Sequence, residues 1–230
     1  MDREFDPEFF HFMRELAANN DREWVAAHKA RYEADVLEPS LAFIEDFGYR
    51  LREISPNFVA DPRRTGGSLF RIYRDVRFSH DKRPYKDHFG AYVAEGGRKS
   101  ILPGYYLHLA ANNNSFLAGG LWMPPADYLK AVRQEIDYNL DGLERIIQAP
   151  DFKNRLGSIQ GEQLKTTPKG YEKDNPAIEY LRFKSWNATM PLPDKVVLSK
   201  DFMHALLDGF KAVKPFNDFL TTPLRDIGEE

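Results

Sequence analysis

Residues 71 to 90, RIYRDVRFSHDKRPYKDHFG, contain the side chains best suited to bind or act on an anion. The block around them, from Asp61 to His88, carries eight basic and four acidic residues. Its net charge is therefore +4, although the whole chain carries −3. Guanidinium groups can hold a phosphate or a carboxylate through two parallel hydrogen bonds. This block is typical of an anion-binding site.

The candidate residues divide by the role that their chemistry allows. The predicted ligand-binding residues are Arg71, Arg74, Arg77, Lys82, Tyr85 and Lys86. Three further residues are predicted to orient the ligand or to transfer protons: Asp75, Asp81 and His108. A histidine with a pKa of roughly 6.5 suits proton transfer near neutral pH. The alternative for His108 is a hydrogen-bonded histidine of the sheet.

Two other functions explain the same residues. In the first, the arginines form a structural ion-pair network with Asp75, Asp81 and other acids, and the network ties a loop to the sheet. In the second, the basic residues contact nucleic-acid phosphates while tyrosines stack on bases, the candidates being Tyr73, Tyr85 and Tyr92. The acidic balance of the chain favours an anionic small molecule over nucleic acid. Whether the protein is an enzyme stays open.

Several kinds of chemistry are excluded by residues that the sequence lacks. There is no cysteine, hence no disulfide, no thiolate nucleophile and no cysteine-bound zinc. The glycine-rich phosphate and dinucleotide motifs, the nucleophile elbow and the H-E-x-x-H motif do not occur. The six histidines do not have the spacing of zinc ligands. We therefore predict no metal site and no cofactor.

Composition predicts a single soluble domain over residues 1–230, with an oligomeric state that the sequence does not set. Hydrophobic residues make up 42% of the chain, and no Pro-, Gly- or Ser-rich linker divides it. No apolar stretch reaches the length of a membrane span, and the N-terminal sequence MDREFDPEFF is acidic, unlike a secretion signal. We expect a cytoplasmic protein without a membrane partner.

Helical spacing of apolar residues dominates both ends of the chain. Asp6-Pro7-Glu8 predicts a helix start, and Asn20 with Glu23 predicts a capping box for a second helix. Pro39 is expected to interrupt that second helix. After Pro124-Pro125, the spacing predicts one long helix from Leu129 to Ile147. Shorter helices are predicted near residues 151–159 and 176–183, and a final helix is expected to end or kink at Pro215.

The middle of the chain has the alternation and turn residues of β-strands. The predicted strands are Leu69–Phe78, Phe89–Glu95, Gly104–Ala111 and Ser115–Trp122. In the first strand, alternation places Arg71, Asp75 and Arg77 on one face, and Arg74 with the apolar residues, including Phe78, on the other. Helices, then strands, then helices predict an α+β fold: a mainly antiparallel sheet of about four central strands flanked by N- and C-terminal helices.

Three motifs resemble a family that is widespread in bacteria, the domain of unknown function 2461. The main one is Arg71-x-x-Arg74-Asp75-x-Arg77-Phe78-Ser79-x-Asp81-Lys82-x-Pro84-Tyr85-Lys86. The others are Asn20-Asp21-Arg22-Glu23-Trp24 and Gly119-Gly120-Leu121-Trp122, and the similarity also takes in the closing helix. Asp87 departs from the family pattern, in which Thr is commoner. The resemblance implies a single-domain protein of this length and supplies no reaction.

Overall fold

The computed structural model describes residues 3–225 and 227. Its five strands are β1 (Phe58–Val59), β2 (Phe89–Glu95), β3 (Gly104–Leu109), β4 (Ser115–Leu121) and β5 (Trp186–Leu192). The helices before the sheet are α1 (Pro7–Ala18), α2 (Arg22–Ala27), α3 (Lys29–Arg31), a π-helix (Tyr32–Leu37) and α4 (Glu38–Leu51). The later ones are α5 (Ala126–Tyr138), α6 (Leu140–Gln148), α7 (Pro150–Leu156), α8 (Ile178–Leu181), α9 (Asp194–Val197), α10 (Phe202–Thr221) and a 3-10 turn (Thr222–Leu224).

The strands form one antiparallel sheet in the order β1-β2-β3-β4-β5, with helices at both ends of the chain. The predicted α+β class is confirmed, although the sheet has five strands instead of about four. β2 has the predicted bounds, and β3 and β4 end at Leu109 and Leu121. Both unpredicted strands carry weak signals: β1 has two residues, and β5 contains Pro191.

The chain divides into two compact units that interleave along the sequence. The first contains the residues up to Lys99, Tyr106–Leu117 and Pro191–Asp208, and the second contains the remainder. Strands β3, β4 and β5 contribute residues to both units. The single domain proposed over residues 1–230 stays a prediction.

A cluster of phenylalanine rings forms the centre of the first unit. Phe5 lies 4.6 Å from Phe9, 5.3 Å from Phe43 and 5.9 Å from Phe202, measured between ring centroids. Phe89 of β2 meets the Phe5 ring edge-on at 6.1 Å. All five side chains are buried. Since tilted and edge-on ring pairs add to the gain from apolar burial, this cluster anchors α1 and α4 to β2.

Two predictions for the N-terminal helices are wrong in detail. The side chain of Asp21, not Asn20, caps α2 by accepting a hydrogen bond from the Trp24 backbone N–H at 2.8 Å. Pro39 does not interrupt the helix, because the π-helix runs directly into α4 and places this proline in the first turn. The proline follows the wider π-helical turn, in which the Glu38 N–H bonds five residues back to the Glu33 carbonyl instead of four.

The second unit also departs from the predicted helix pattern. The long helix predicted from Leu129 to Ile147 is broken at Asn139, whose carbonyl accepts from the backbone N–H groups of Gly142 and Leu143. α10 continues through Pro215 to Thr221. None of the helices within residues 3–225 has the length and apolarity that crossing a bilayer requires.

Residues 68–92 fold back on themselves as an irregular hairpin, which we call the arm. Backbone bonds join Phe70 to Gly90 at 2.8 Å and Arg74 to Pro84 at 2.9 Å. Pairing within the arm is limited to two isolated bridges: Leu69 with Ala91 of β2, and Tyr73 with Tyr85. The strand predicted over Leu69–Phe78 is therefore wrong. In the distal half of this segment, carboxylate side chains accept hydrogen bonds from nearby residues, and these local bonds compete with strand pairing.

Candidate functional site

The tip of the arm carries a compact ion pair between Arg77 and Asp75. The Arg77 guanidinium reaches the Asp75 carboxylate at 2.7 and 2.9 Å, and the Arg77 backbone N–H also donates to it at 3.3 Å. These bonds, with a contribution from Arg71, lower the pKa of Asp75 to about 2. Both side chains are exposed, so water screens the pair and its contribution to stability is small.

A second ion-pair group ties the two sides of the arm together around Asp81. Its carboxylate accepts from Arg83 at 2.8 Å and from Arg74 at 2.7 Å. Arg83 also reaches Asp87 at 3.4 Å. Bonds from the Arg83 side chain and backbone, followed by the Arg74 bond, hold the pKa of Asp81 well below its usual range. This part of the arm has the geometry of a structural ion-pair network.

Proton transfer is not favoured for the two predicted catalytic carboxylates. Asp75 and Asp81 are held ionised, and arginine donors occupy their oxygens. A carboxylate with so low a pKa is a weak base near neutral pH. The arrangement favours an ion-pairing role for both residues.

The predicted lysines bond to carbonyl groups of the arm. Lys82 Nζ donates to the Val76 carbonyl at 3.0 Å, and Lys86 Nζ donates to the Arg71 carbonyl at 2.9 Å. Lys86 also lies over the Phe70 ring, 5.4 Å from its centroid. Burial, followed by repulsion from Arg71 and Arg98, lowers the pKa of Lys86. Both ammonium groups therefore help to hold the arm closed.

Asn20 clamps the base of the arm. Its side-chain oxygen accepts from the Tyr85 backbone N–H at 3.0 Å, and its amide nitrogen donates to the Tyr85 carbonyl at 3.1 Å. Because one amide side chain satisfies both backbone groups, it replaces the partner that a neighbouring strand would supply. The Tyr85 side chain is only 6% exposed. This clamp joins the segment before α2 to the arm and brings two sequence motifs together.

A cleft of about 440 Å³ opens between the arm and the helices that follow the clamp. Its volume lies in the range of small-molecule sites, and all its lining residues belong to the first unit. The wall from α2, α3 and the π-helix consists of Arg22, Val25, Ala26, Lys29, Tyr32, Glu33 and Leu37. The opposite wall consists of Arg64, Thr65, Leu69, Phe70, Arg71, Ile72, Tyr73 and Tyr85.

Positive charge dominates the lining of the cleft. Arg64 pairs with Glu33 at 2.8 Å, which neutralises one cation. The remaining three, Arg22, Lys29 and Arg71, form no salt bridge within residues 3–225 and 227. Four cations against one acid leave a lining charge of +3. A concave surface of this kind concentrates anions near its cations.

The π-helix supplies one wall of the cleft. π-helical turns are rare in proteins and occur frequently at functional sites. Tyr32, its first residue, is half-buried, and burial raises the pKa of its phenol to about 12. The hydroxyl therefore keeps its proton at neutral pH and can donate a hydrogen bond toward a ligand.

The comparison with protein families matches residues 8–219 to the family described as Conserved hypothetical protein (DUF2461). The chain belongs to this family. Searches of curated proteins and of solved structures found no match to the chain. The DUF2461 match contains every residue that lines the cleft, as well as the clamp and the whole arm.

The predicted site residues of this DUF2461 chain separate into two groups. Arg71 and Tyr85 line the cleft, whereas Asp75, Arg77, Asp81 and Lys82 belong to the outer part of the arm. Arg74 and Lys86 bond within the arm. Phe78, predicted on the apolar face, is 94% exposed.

Sequence reasoning missed the helical wall of the cleft. Arg22, Lys29 and Tyr32 were not predicted as site residues, although spacings of seven and three place them near one side of a helix. The signal that could have found them is the Asn20 to Trp24 motif, because it contains Arg22 and carries part of the family resemblance.

His108, the third predicted catalytic residue, lies in a stack of rings elsewhere in the first unit. Its ring packs between His88 at 4.1 Å and Phe116 at 4.6 Å, measured between centroids. Its Nδ1 is 3.0 Å from the Tyr106 hydroxyl. Burial, followed by repulsion from His88, lowers the pKa of His108 to about 4. The residue is neutral at physiological pH and is not among the residues that line the cleft.

The depressed pKa of His108 predicts a loss of stability in mild acid. In the unfolded chain, His108 binds a proton near pH 6.5, whereas the folded ring binds one only near pH 4. Between these two pH values the unfolded chain therefore binds more protons. Stability should fall as pH falls through this window. We expect His108 to contribute about 1 kcal/mol to the fall from pH 7 to pH 5, half the full linkage value because the ring is partly solvated.

Urea unfolding at pH 7 and pH 5 measures this effect. His108→Gln should show a smaller fall than the wild type, and His80→Gln, which changes an exposed histidine of the arm, should keep the wild-type fall. The Asp75 and Asp81 titrations lie below this window. An equal fall in all three proteins would contradict the assignment.

No metal centre emerges from the part of the chain that the structure describes. Within residues 3–225 and 227, no three His, Asp or Glu side chains are grouped as a metal would require. His88 Nδ1 lies 3.5 Å from Asp87, and Asp87 is also bonded to Arg83.

Proposed function

We propose that the cleft binds a small anionic molecule through a phosphate or carboxylate group that contacts Arg71. The observation that carries the proposal is the difference between the arginines of one segment. Arg74, Arg77 and Arg83 each bond to a carboxylate, whereas Arg71 has no such partner among the described residues and lines the cleft. A guanidinium that is bonded to no carboxylate and lies at a concave site is suited to an external anion.

Two cations from the opposite wall support the same proposal. Arg22 and Lys29 line the cleft on α2 and α3. Glu33 is the one acid in the lining and is bonded to Arg64, so three cations are left without a salt bridge among the described residues. Their mutual repulsion costs free energy, and a bound phosphate or carboxylate would offset that cost with charge-assisted hydrogen bonds. We propose binding and no reaction for the cleft, because Asp75 and Asp81 are ion-paired and His108 does not line it.

The outer arm has a second, structural function in this proposal. Asp81 bonds to both Arg74 and Arg83, which closes the turn between residues 74 and 83. That turn holds the two sides of the arm together, and the arm forms one wall of the cleft. One part of the motif would therefore bind the anion while the other keeps the wall in place.

We also propose a cytoplasmic location in bacteria, on the basis of the composition of the chain and the family resemblance. An anionic metabolite would be the corresponding ligand class. Nucleic acid is less favoured because the chain as a whole is acidic.

Titration with inorganic phosphate tests the proposed function. We expect Arg71→Gln to weaken phosphate binding about tenfold, because it removes charge-assisted hydrogen bonds. Isothermal titration calorimetry at low salt measures the affinity. Arg77→Gln is the matched control: it removes the same charge from the same segment, but its guanidinium is paired and exposed. Equal affinity in both variants, or no binding by the wild type, would reject the proposal.

A further inference from the structure

We infer that the ligand of the cleft is an anion attached to a flat ring, with a nucleoside monophosphate as the representative class. This inference rests on the proposed function, since it specifies what the anion is attached to. The cleft is lined by four aromatic side chains: Tyr32, Phe70, Tyr73 and Tyr85. A site for inorganic phosphate alone has no need of such walls, because phosphate offers no apolar surface to cover.

Tyr73 is the ring best placed to stack on a ligand. It lies two residues after Arg71, is 57% exposed and lines the cleft. Its ring rests on Tyr85, with 5.3 Å between centroids and 44° between planes. Tyr85 is itself buried and clamped by Asn20. A half-exposed ring supported by a fixed one is a suitable platform for a flat, apolar group.

The other two aromatic side chains contribute differently. Lys86 lies 5.4 Å and Arg98 lies 5.3 Å from the centroid of the Phe70 ring, so this ring already has two cations over it. Tyr32 lines the same cleft, and its hydroxyl keeps its proton at neutral pH because burial raises its pKa to about 12. That hydroxyl can bond to a heteroatom of a ring stacked on Tyr73.

Such a ring could belong to a free small molecule or to the phosphorylated end of a nucleic acid. We commit to the free molecule because the outer arm offers no continuous track of open cations. Beyond Arg71, the three arginines of the arm pair with its three carboxylates, Asp75, Asp81 and Asp87, and its two lysines bond to carbonyl groups of the arm. A polymer that tracks a protein surface needs several backbone phosphates contacted in sequence.

Calorimetry with paired probes tests the inference. The wild type should bind adenosine monophosphate about tenfold more tightly than ribose 5-phosphate, which matches it without the base. Tyr73→Ala should lose this tenfold preference while keeping its affinity for ribose 5-phosphate. Tyr73→Leu, which keeps apolar bulk but lacks an aromatic face, should lose the preference too. Arg71→Gln should weaken both ligands equally.

Phe78→Ala is the matched control, because Phe78 is an exposed aromatic residue of the same arm and does not line the cleft. It should leave both affinities unchanged. If the two probes bind the wild type equally, the inference about the ring is overturned while anion binding stands. If neither binds, the proposed function itself fails. If a 5′-phosphorylated oligonucleotide binds far more tightly than the mononucleotide and shows steep salt dependence, the free-molecule assignment is overturned.

Discussion

Gly120→Ala is expected to lower the free energy of unfolding by about 4 kcal/mol or more, enough to leave much of the protein unfolded. Gly120 has a φ of +131°, which L residues rarely adopt. A Cβ built on it would overlap the Trp186 carbonyl oxygen and lie 2.8 Å from the Cα of Asn187. Both obstacles are backbone atoms of β5, so relief would require the strands to separate.

Gly157→Ala is the matched control in the same unit. Gly157 also has a positive φ, +76°, but no atom lies within 4 Å of an added Cβ. It should cost about 1–2 kcal/mol from backbone strain alone. Urea unfolding of both variants separates strain from steric overlap. Equal losses would show that the close approach of β4 to β5 is not what requires glycine at position 120.

Close packing explains the two glycines of the Gly119-Gly120-Leu121-Trp122 motif. A Cβ on Gly119 would overlap the Val213 side chain of α10, and one on Gly120 would overlap β5. Both contacts lie within the second unit. The sequence did not indicate the partner of Gly120, because β5 is not among the predicted strands.

The α+β class was predictable because the change from helical to alternating spacing is a local property of the sequence. β2 kept its predicted bounds, and Phe89, Ala91 and Val93 are buried at alternate positions, although Gly90 and Ala94 between and after them are buried too. Leu69–Phe78 has the same alternation: Arg71, Tyr73, Asp75 and Arg77 are indeed the more exposed set. This segment has no bridge partner beyond Tyr73. The sequence of one segment does not show which other segment it will pair with.

The site was predictable to a smaller extent, because charge density marks a segment without showing which charges are paired. Asp75 and Arg77 lie two residues apart and neutralise each other across a turn. The alternating pattern predicted an extended strand there. That Arg71 forms no salt bridge among the described residues is a property of the folded chain, which the sequence did not show. The opposite wall comes from residues some forty positions earlier, so Lys29 and Arg71 line one cleft only in the folded chain.

Asn20→Ala is expected to lower the free energy of unfolding by about 2 kcal/mol or more and to weaken phosphate binding as well. The substitution removes both partners of the Tyr85 backbone, an N–H bonded at 3.0 Å and a carbonyl bonded at 3.1 Å. An unsatisfied buried backbone group costs about 1–3 kcal/mol. Since Tyr85 and Tyr73 line the cleft, loosening their support should also displace Arg71, two residues before Tyr73.

Asn19→Ala provides the matched control, because this adjacent asparagine makes one exposed bond to the Glu15 carbonyl. Water can replace that bond, so the loss should stay near 0.5 kcal/mol, and phosphate affinity should be unchanged. Unfolding by urea and titration with phosphate measure the two effects on the same samples. A stable Asn20→Ala protein with weakened phosphate binding would show that the clamp serves the cleft more than the fold. Equal stability losses in both variants would contradict the structural role of the clamp, since only Asn20 holds the backbone of a buried residue in the arm.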